Sequence, residues 1–251
     1  MQPEVLEVGA GVHFVEASHT NFVLIEDDGE LTLVDSGYPR DRALLEAAVR
    51  RLGRQPADLS AMLLTHAHVD HLGSAQWLRQ TFGVPVHCHT GEAAHARGEV
   101  EEVISQRDII ANVWRPAVLR FTVNAVSKGG MKRQPVSEVD TFDDGQPVDV
   151  PGRPVAIHTP GHTSGHAGFH LVDRGVLLTG DALITVDVWD ESRRGPQVIR
   201  PPFNLDHARA VGSLDRFADL AAEVVVPGHG RPFRGTPAQA VAEARERLGE
   251  A

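Results

Sequence analysis

The stretch LLTHAHVDHLGSA, residues 63–75, decides the fold, because it sets four side chains with metal-ligand chemistry directly behind an apolar run. In an extended segment, residues i and i+2 point to the same side, so His66 and His68 at a strand end can reach one ion. The chain then turns and carries Asp70 and His71 to a neighbouring point. A catalytic zinc ion usually takes three protein ligands. Four candidates in six residues therefore favour either one ion with spare ligands or two ions.

Three downstream segments repeat one theme: an apolar strand, a sharp turn bounded by glycine, and a ligand. They are TPGHTSGH with His162, LLTGDAL with Asp181, and VVVPGHG with His229. Glycine lets the backbone approach a crowded centre, and loops at strand ends are where catalytic groups usually sit. We expect these three side chains to join the ligands of residues 63–75.

HAHVDH, PGH, GD and PGH, in this order, resemble the motifs of the metallo-β-lactamase superfamily of metallohydrolases, from VDSG at 34–37 to the final PGHG. The resemblance implies an α/β fold, an αββα four-layer sandwich with a two-metal site at the rim between the sheets. It implies that Asp35 of VDSG supports the site from behind. The implied ligands are His66, His68 and His162 for one metal, and Asp70, His71 and His229 for the second, with Asp181 bridging both.

The implied chemistry is that of a dinuclear metal site. Two dications, two aspartates and one hydroxide leave a charge of about +1, which polarises a carbonyl oxygen, while the metals lower the pKa of bound water to about 7. Asp70 is the expected catalytic residue, since its carboxylate can orient the hydroxide and pass a proton to the leaving group. Zinc is the expected metal, although His and Asp ligands also accept iron or manganese.

The order of elements predicts one domain over residues 1–251, with strands, interspersed helices and no break in composition. Residues 101–134 differ and read as a helical insertion, with Pro116 expected to kink or split it. The insertion has too many apolar positions for a helix with a single core face. We expect a lid or wall over the metals; packing on the sandwich or the interface of a homo-oligomer are the alternatives. Its apolar positions include Ile109, Ile110, Val113, Trp114, Val118, Leu119, Phe121, Val123 and Val126.

The net charge and composition of the chain limit the classes of partner that we expect. The chain has 251 residues and a formal net charge of −10, which argues against nucleic acid or an anionic membrane as the main partner. The N-terminus does not read as a signal peptide, and there is no run of 18 apolar residues. Cys88 is the only cysteine, so an internal disulfide is excluded. We expect a cytoplasmic protein that acts on a small molecule.

The expected function is hydrolysis of an ester, thioester, lactone or amide bond by a metal-activated hydroxide. Two alternatives from other classes stay open: a mononuclear iron persulfide dioxygenase, in which the second set of ligands would stand idle, and a non-catalytic metal-binding module. Among hydrolases, the secreted zinc β-lactamases usually lack the carboxylate that Asp181 supplies. Hydroxyacylglutathione hydrolases typically continue into a long helical region after the last motif. Acyl-homoserine lactonases use a tyrosine near the bridging aspartate, whereas the single tyrosine here, Tyr38, is far from Asp181 in sequence.

The remaining polar residues near the motifs carry weaker expectations. Arg193, Arg194 and Arg200 either grip a carboxylate or phosphate at the mouth of the site or are solvated. Neighbouring acidic residues are expected to be solvated loop charges, and two histidines that flank a ligand turn either line the site or play no part in it. These residues are Asp187, Asp190 and Glu191, and His158 and His166. The histidines outside any motif are expected to pack or hydrogen-bond locally: His13, His19, His87, His89, His95, His170 and His207.

Overall fold

The computed structural model describes residues 3–102, 110–132 and 134–249. The strands are β1 (Val5–Gly9), β2 (Val12–Glu16), β3 (Asn21–Asp27), β4 (Glu30–Val34), β5 (Leu59–Leu63), β6 (Val86–His89), β7 (Asp140–Phe142), β8 (Val155–His158), β9 (Ala167–Leu171), β10 (Val176–Gly180), β11 (Ile184–Asp187), β12 (Asp190–Gln197), β13 (Val224–Pro227) and β14 (Phe233–Arg234). The α-helices are α1 (Arg42–Arg51), α2 (Ala75–Phe82), α3 (Ala93–Ala96), α4 (Pro116–Ser127), α5 (His207–Ser213), α6 (Asp215–Ala218) and α7 (Pro237–Gly249). Short 3₁₀ helices cover Pro39–Asp41, Pro56–Asp58, Thr90–Glu92, Val172–Arg174 and Pro201–Phe203.

Within the described ranges the strands form two main sheets and a separate hairpin. The first sheet runs in the order β1 to β7; β1 to β4 form an antiparallel meander, and β4 to β7 pair in parallel. The second sheet has the order β14-β13-β10-β9-β8, in which only β10 and β13 are parallel. The hairpin consists of β11 and β12.

Strand β3 shows why the sheets are layered. Successive side chains of a strand point to opposite faces. Phe22 and Leu24 therefore pack outward with Leu45 of α1, whereas Val23 and Ile25 pack inward against the second sheet. Both faces of the strand are buried, which explains why its sequence is a continuous apolar run.

The three apolar clusters match three interfaces between four layers. One joins the first sheet to α1, α2 and α3, the second lies between the two sheets, and the third joins the second sheet to α6 and α7. Phe169 of β9 packs between the sheets, and Phe217 of α6 packs on the outer face of the second sheet. This is the predicted αββα order of an α/β fold.

Helix α4 lies in the predicted insertion. Residues 110–112 are helical, 113–115 form a turn, and a new helix begins at Pro116, in whose first turn the missing N–H costs nothing; the insertion is therefore split at this residue, as predicted, and not kinked. Val118 is buried, while Leu119 and Val123 are 49% and 58% exposed. Ile109 and the rest of 103–109 lie outside the described residues. Within the described ranges, no helix is long and apolar enough to cross a membrane.

Candidate metal centre

The seven predicted ligands lie on loops that follow four strands. One loop, after β5, supplies His66, His68, Asp70 and His71, and the others supply His162 after β8, Asp181 after β10 and His229 after β13. The nitrogen and oxygen atoms of these side chains form groups of three whose members lie within 4.8 Å of one another. The structure therefore brings together all seven residues that the motifs select.

Two glycines make this convergence sterically possible. A Cβ atom on Gly73 would lie 2.4 Å from the carbonyl oxygen of Gly37. This close approach presses the start of α2 against the VDSG loop. A Cβ atom on Gly228 would lie 2.0 Å from Oδ1 of Asp181 and 3.0 Å from Cε1 of His71. The PGH turn before His229 therefore admits only glycine at this point.

The first group consists of three imidazole nitrogens. Nε2 of His162 lies 3.2 Å from Nε2 of His66 and 2.9 Å from Nδ1 of His68. His66 and His162 are buried, and His68 is partly buried. Two nitrogens bound at 2.0–2.1 Å to one tetrahedral zinc would lie about 3.3 Å apart. The spacing of this group is thus close to that of a coordinated set.

The second group consists of Asp70, His71 and His229. Oδ2 of Asp70 lies 3.8 Å from Nε2 of His71 and 3.7 Å from Nε2 of His229. Both imidazoles are buried, whereas the Asp70 side chain is 15% exposed. Asp70 is therefore the member of this group that a molecule arriving from solvent can meet.

Asp181 lies between the two groups. Its Oδ2 is 3.0 Å from Nε2 of His229 and 3.5 Å from Nε2 of His162, and its Oδ1 is 3.5 Å from Nε2 of His71. The carboxylate therefore touches ligands of both sets, as the family resemblance implied for a bridging residue.

The hydrogen bonds around the first group assign the protons of its imidazoles. Nδ1–H of His66 donates to the Thr65 hydroxyl at 3.0 Å, and Nε2–H of His68 donates to the Glu102 carbonyl oxygen at 2.6 Å. Nδ1–H of His162 donates to Oδ1 of Asn204 at 3.2 Å. The nitrogens that face one another therefore carry lone pairs. Three lone pairs at such distances repel unless a cation lies among them.

The second group also contains buried polar atoms without partners. Nδ1–H of His71 donates to Asp35, and Nε2 of the same ring is buried without a hydrogen-bond partner. Oδ1 of Asp181, which it faces, is likewise buried and unpartnered. Unsatisfied buried groups of this kind are costly. The donor set thus fits metal cations between these side chains.

Burial and charge shift the pKa values of these groups in opposite directions. Burial, followed by repulsion from neighbouring imidazoles, holds the pKa of His66 and of His162 well below 6.5. Burial would also lower the pKa of His71, but the carboxylates of Asp181, Asp35 and Asp70 outweigh it and raise that pKa to about 10. Without metal, protons therefore compensate the carboxylates in the second group, a role that cations can take over.

Asp35 supports the ligand loop from behind, as the VDSG motif predicted. Oδ2 accepts hydrogen bonds from Nδ1 of His71 and from the hydroxyl of Thr65, both at 2.8 Å, and Oδ1 accepts the Thr65 amide N–H at 2.9 Å. Its backbone φ of +58° lies in the left-handed region, which is uncommon for a residue other than glycine. The strained backbone aims the carboxylate at two ligand-bearing residues.

Glu92 is a residue that the motifs did not reveal. It is fully buried and accepts four hydrogen bonds, which join the two loops that carry the first group. Its Oε1 accepts Ala67 N–H and His95 Nδ1–H, both at 2.8 Å. Its Oε2 accepts the Thr163 hydroxyl at 2.7 Å and Gly165 N–H at 3.0 Å. Because these bonds engage both oxygens, we interpret Glu92 as a brace between the loops.

His166 lies behind Asp181. Its Nε2 accepts the backbone N–H of Asp181 at 3.0 Å, and its Nδ1–H donates to Thr159 at 2.8 Å. Burial lowers the pKa of this imidazole to about 4, so it is neutral and keeps its acceptor nitrogen. His158 instead stacks on His89, with ring centroids 4.0 Å apart.

Other residues with weak sequence signals fall into place through contacts. The side chain of His19 is not one of the predicted ligands, but its backbone carbonyl oxygen accepts Nδ1–H of His229. Asp187 was expected to be solvated, and this expectation is wrong. The residue is buried and bonded to Nε of Arg200 at 2.6 and 2.8 Å. Burial raises the pKa of Tyr38, and the carboxylates of Asp70 and Asp181 raise it further. This tyrosine therefore lies near the centre, although it is far from Asp181 in sequence.

A family model agrees with this geometry. The model of the metallo-beta-lactamase superfamily matches residues 15–229, a range that contains every predicted ligand. The chain belongs to the metallo-β-lactamase superfamily. Proteins of this superfamily are generally hydrolytic, and the His and Asp clusters described above have the residues and the spacing to hold metal ions.

Relatives in this superfamily cover most of the chain. Probable metallo-hydrolase YflN of Bacillus subtilis strain 168 is 27% identical over 237 residues, 91% of this chain and 87% of the relative. Hydroxyacylglutathione hydrolase GloC of Haemophilus influenzae is 27% identical over 170 residues, 67% of this chain and 69% of the relative. A solved structure, metallo-beta-lactamase family protein TTHA1429 from Thermus thermophilus, matches with a TM-score of 0.64 at 30% identity, covering 92% of this chain and 76% of that one.

Proposed function

We propose that the protein is a hydrolase that depends on two divalent cations and cleaves an ester, thioester, lactone or amide bond of a small molecule. The observation that carries this proposal is the position of Asp181, whose Oδ2 is 3.0 Å from Nε2 of His229 and 3.5 Å from Nε2 of His162. A carboxylate between two complete ligand sets suits a pair of cations that share one bridging residue.

Each set has its own composition. His66, His68 and His162 would hold one cation through three neutral nitrogens, and Asp70, His71 and His229 would hold the other through two nitrogens and one carboxylate oxygen. Zinc is the proposed metal because it readily accepts such ligands in a tetrahedral arrangement. When bound, two dications would supply Lewis-acid polarisation of a substrate carbonyl and make water nucleophilic at neutral pH.

Asp70 is the proposed catalytic residue. Its side chain is 15% exposed, whereas Asp181 is buried, so Asp70 is the carboxylate that can meet both water and a leaving group. The carboxylate would help to hold the second cation and would orient the attacking water. The same carboxylate would then carry the proton of that water to the leaving group.

We propose that α4 forms an apolar wall beside the substrate. Its C-terminal end is fastened to the loops before α1, because Asn124 donates to the Ser18 carbonyl oxygen and Lys128 pairs with Asp41 at 3.1 Å. Phe121, one turn before Asn124, packs against Phe203, with ring centroids 5.8 Å apart. Ser18 precedes the residue whose carbonyl oxygen binds His229, so the fastening reaches the edge of the centre. Exposed apolar side chains on this helix suit an acyl or ring-bearing substrate.

A mononuclear persulfide dioxygenase is the alternative, and it would leave the second ligand set idle. The buried, unpartnered Nε2 of His71 speaks against it, since an idle group would retain an uncompensated polar atom. Metal content and reaction type separate the two functions.

The test is a substrate panel with the zinc-loaded protein: thioesters, lactones, β-lactams and phosphodiesters, followed by chelation and reloading. Asp70→Asn is the diagnostic variant, and Asp190→Asn on β12, remote from the ligand sets, is its matched control. The proposal expects turnover of one acyl class that is lost on chelation and in Asp70→Asn, and kept in Asp190→Asn. Oxygen uptake with a persulfide and one iron per chain would establish the dioxygenase instead. Metal binding without any turnover would leave a binding module.

A further inference from the structure

A cavity of about 200 Å³ lies between the β11–β12 hairpin, the segment that follows it and α7, and none of the seven predicted ligands lines it. One part of its wall is apolar and includes Val198, Ile199 and Leu248. The rest of the lining is polar and contains three arginines, one histidine and one carboxylate: Arg193, Arg200, Arg247, His207 and Asp187.

The charges in this lining do not balance. Arg200 binds both oxygens of Asp187 through Nε, at 2.8 and 2.6 Å, so this pair is neutral. Arg193 and Arg247 have no carboxylate within 4.0 Å among the described residues, although Arg193 is close enough to Asp190 to help lower its pKa. Two guanidinium groups at the wall of a partly enclosed cavity attract an anion.

His207 adds a neutral donor. Nδ2 of Asn204 donates to the carbonyl oxygen of Ile199 at 3.1 Å, which fixes the orientation of the amide. The same Nδ2 faces Nδ1 of His207 at 2.8 Å, so Nδ1 must accept and the ring proton must lie on Nε2. Burial lowers the pKa of His207, in agreement with a neutral ring. His207 therefore has one N–H left to donate.

We propose that this cavity is a second binding site, which takes a small molecule bearing a carboxylate or phosphate. Arg193 and Arg247 hold the oxyanion, the Nε2–H of His207 donates to it, and the apolar part of the ligand packs on Val198 and Leu248. A guanidinium group binds such oxyanions through paired N–H donors, which favours these ligands over halide ions. The volume is below the range of drug-sized pockets, so the ligand is a short one.

The site is close to the metal centre, and this determines the design of the test. Asn204, which bonds His207, also accepts Nδ1–H of His162 at 3.2 Å through Oδ1. Phosphate and carboxylates also bind metals, so binding alone does not locate the anion. Substitutions that touch only the cavity locate it, and they do so whether or not the protein is a hydrolase.

The experiment titrates the metal-loaded protein with inorganic phosphate and, separately, with butyrate at constant ionic strength, and follows calorimetric heat and the shift of the unfolding temperature. The diagnostic variants are Arg193→Gln and Arg247→Gln. Their matched controls are neighbours on the same elements but outside the cavity: Arg194→Gln, whose Nε donates to the Glu191 carbonyl, and Arg245→Gln, which pairs with Asp215. Unfolding without anion checks that each variant folds.

We expect at least one probe to bind each diagnostic variant about tenfold more weakly than it binds the unmodified protein. Its affinity for both control variants should be unchanged. Tighter binding of butyrate than of phosphate would assign a carboxylate with an apolar tail, and the reverse order would assign a phosphate. Equal affinities in all variants would place the anion at the metals and overturn the proposal. The absence of any heat and any thermal shift with both probes at millimolar concentration would overturn it as well.

Discussion

Oδ2 of Asp35 lies 2.8 Å from Nδ1 of His71, and the carboxylate reaches this nitrogen from a backbone with φ of +58°. The two residues are on separate loops, one after β4 and the other after β5. Asp35 thereby engages the Nδ1 proton of His71, so Nε2 is the nitrogen that a cation can bind. The same Oδ2 accepts the hydroxyl of Thr65, which in turn accepts Nδ1–H of His66. A single carboxylate thus orients ligands of both sets.

Asp35→Asn should weaken metal binding at the Asp70–His71–His229 set by about 10- to 100-fold, because outer partners of metal-bound imidazoles have effects of this size. Asparagine tolerates the left-handed backbone, so the variant should fold. Competition with a chromogenic chelator measures each affinity. Thr65→Val is the comparison variant: its hydroxyl accepts Nδ1–H of His66, so its loss should weaken the His66–His68–His162 set more than the Asp70–His71–His229 set. A variant of Asp35 with both affinities unchanged would show that this hydrogen bond has no influence on the metals.

The two sets should respond differently to pH. The pKa of His71 is raised to about 10 and that of His229 is also raised, so a cation must displace protons from these imidazoles at neutral pH. The pKa values of His66 and His162 are well below 6.5, so these rings are already neutral. Zinc affinity at the second set should therefore rise with pH, by about tenfold per pH unit for each proton displaced.

Zinc titrations between pH 6 and 8 measure this difference. We expect the zinc affinity of the His66–His68–His162 set to stay nearly constant over the same range. Identical pH slopes for the two binding events would contradict the assignment of these protons.

Glu92→Gln should destabilise the fold, because the amide replaces an acceptor oxygen with a donor that faces two N–H or O–H groups. Hydrogen bonds to a buried charged group contribute about 1.5–3 kcal/mol each, so we expect a loss of about 3 kcal/mol in the free energy of unfolding. Urea unfolding of the metal-free protein measures it. Glu99→Gln, at an exposed residue that pairs with Arg97, is the control and should change stability little. Equal stability of the two variants would rule out the brace.

Trp114→Ala tests the wall formed by the insertion. The side chain is 77% exposed, so its removal should leave stability and metal content intact. If the region borders the substrate, KM should rise for substrates with large apolar acyl groups and stay constant for acetyl analogues. An unchanged KM for both groups of substrates would favour the alternative roles of this segment, which are packing on the sandwich or an interface between copies of the chain.

The motif residues were predictable because each ligand sits within a few positions of a strand end and a glycine, so the pattern is local. The residues around them were not, because their roles arise from contacts distant in sequence. Glu92 lies in TGEAA, which reads as an exposed helix start, and only the packing of α3 under both ligand loops buries it. From its sequence neighbours, Asp187 resembles a solvated loop residue. Its buried ion pair depends on Arg200, which lies beside it only because the chain turns back after β12.

The order of layers was expected from the resemblance to the superfamily, and the strands agree with it. A strand such as β3, apolar on both faces, requires cover on both sides. The position of α4 was not fixed in this way. Its apolar residues outnumber those that the structure buries, so the sequence pattern could not select the face that packs.

The most direct test of two cations bridged by Asp181 is the zinc stoichiometry of the purified chain and of its His229→Ala variant, measured by elemental analysis after equilibrium dialysis. His229 belongs to the second set alone, so its removal should empty one position and spare the other. The account predicts two zinc ions per chain in the unmodified protein and one in the variant. One ion per chain in both proteins, or two ions still bound in the variant, would contradict it.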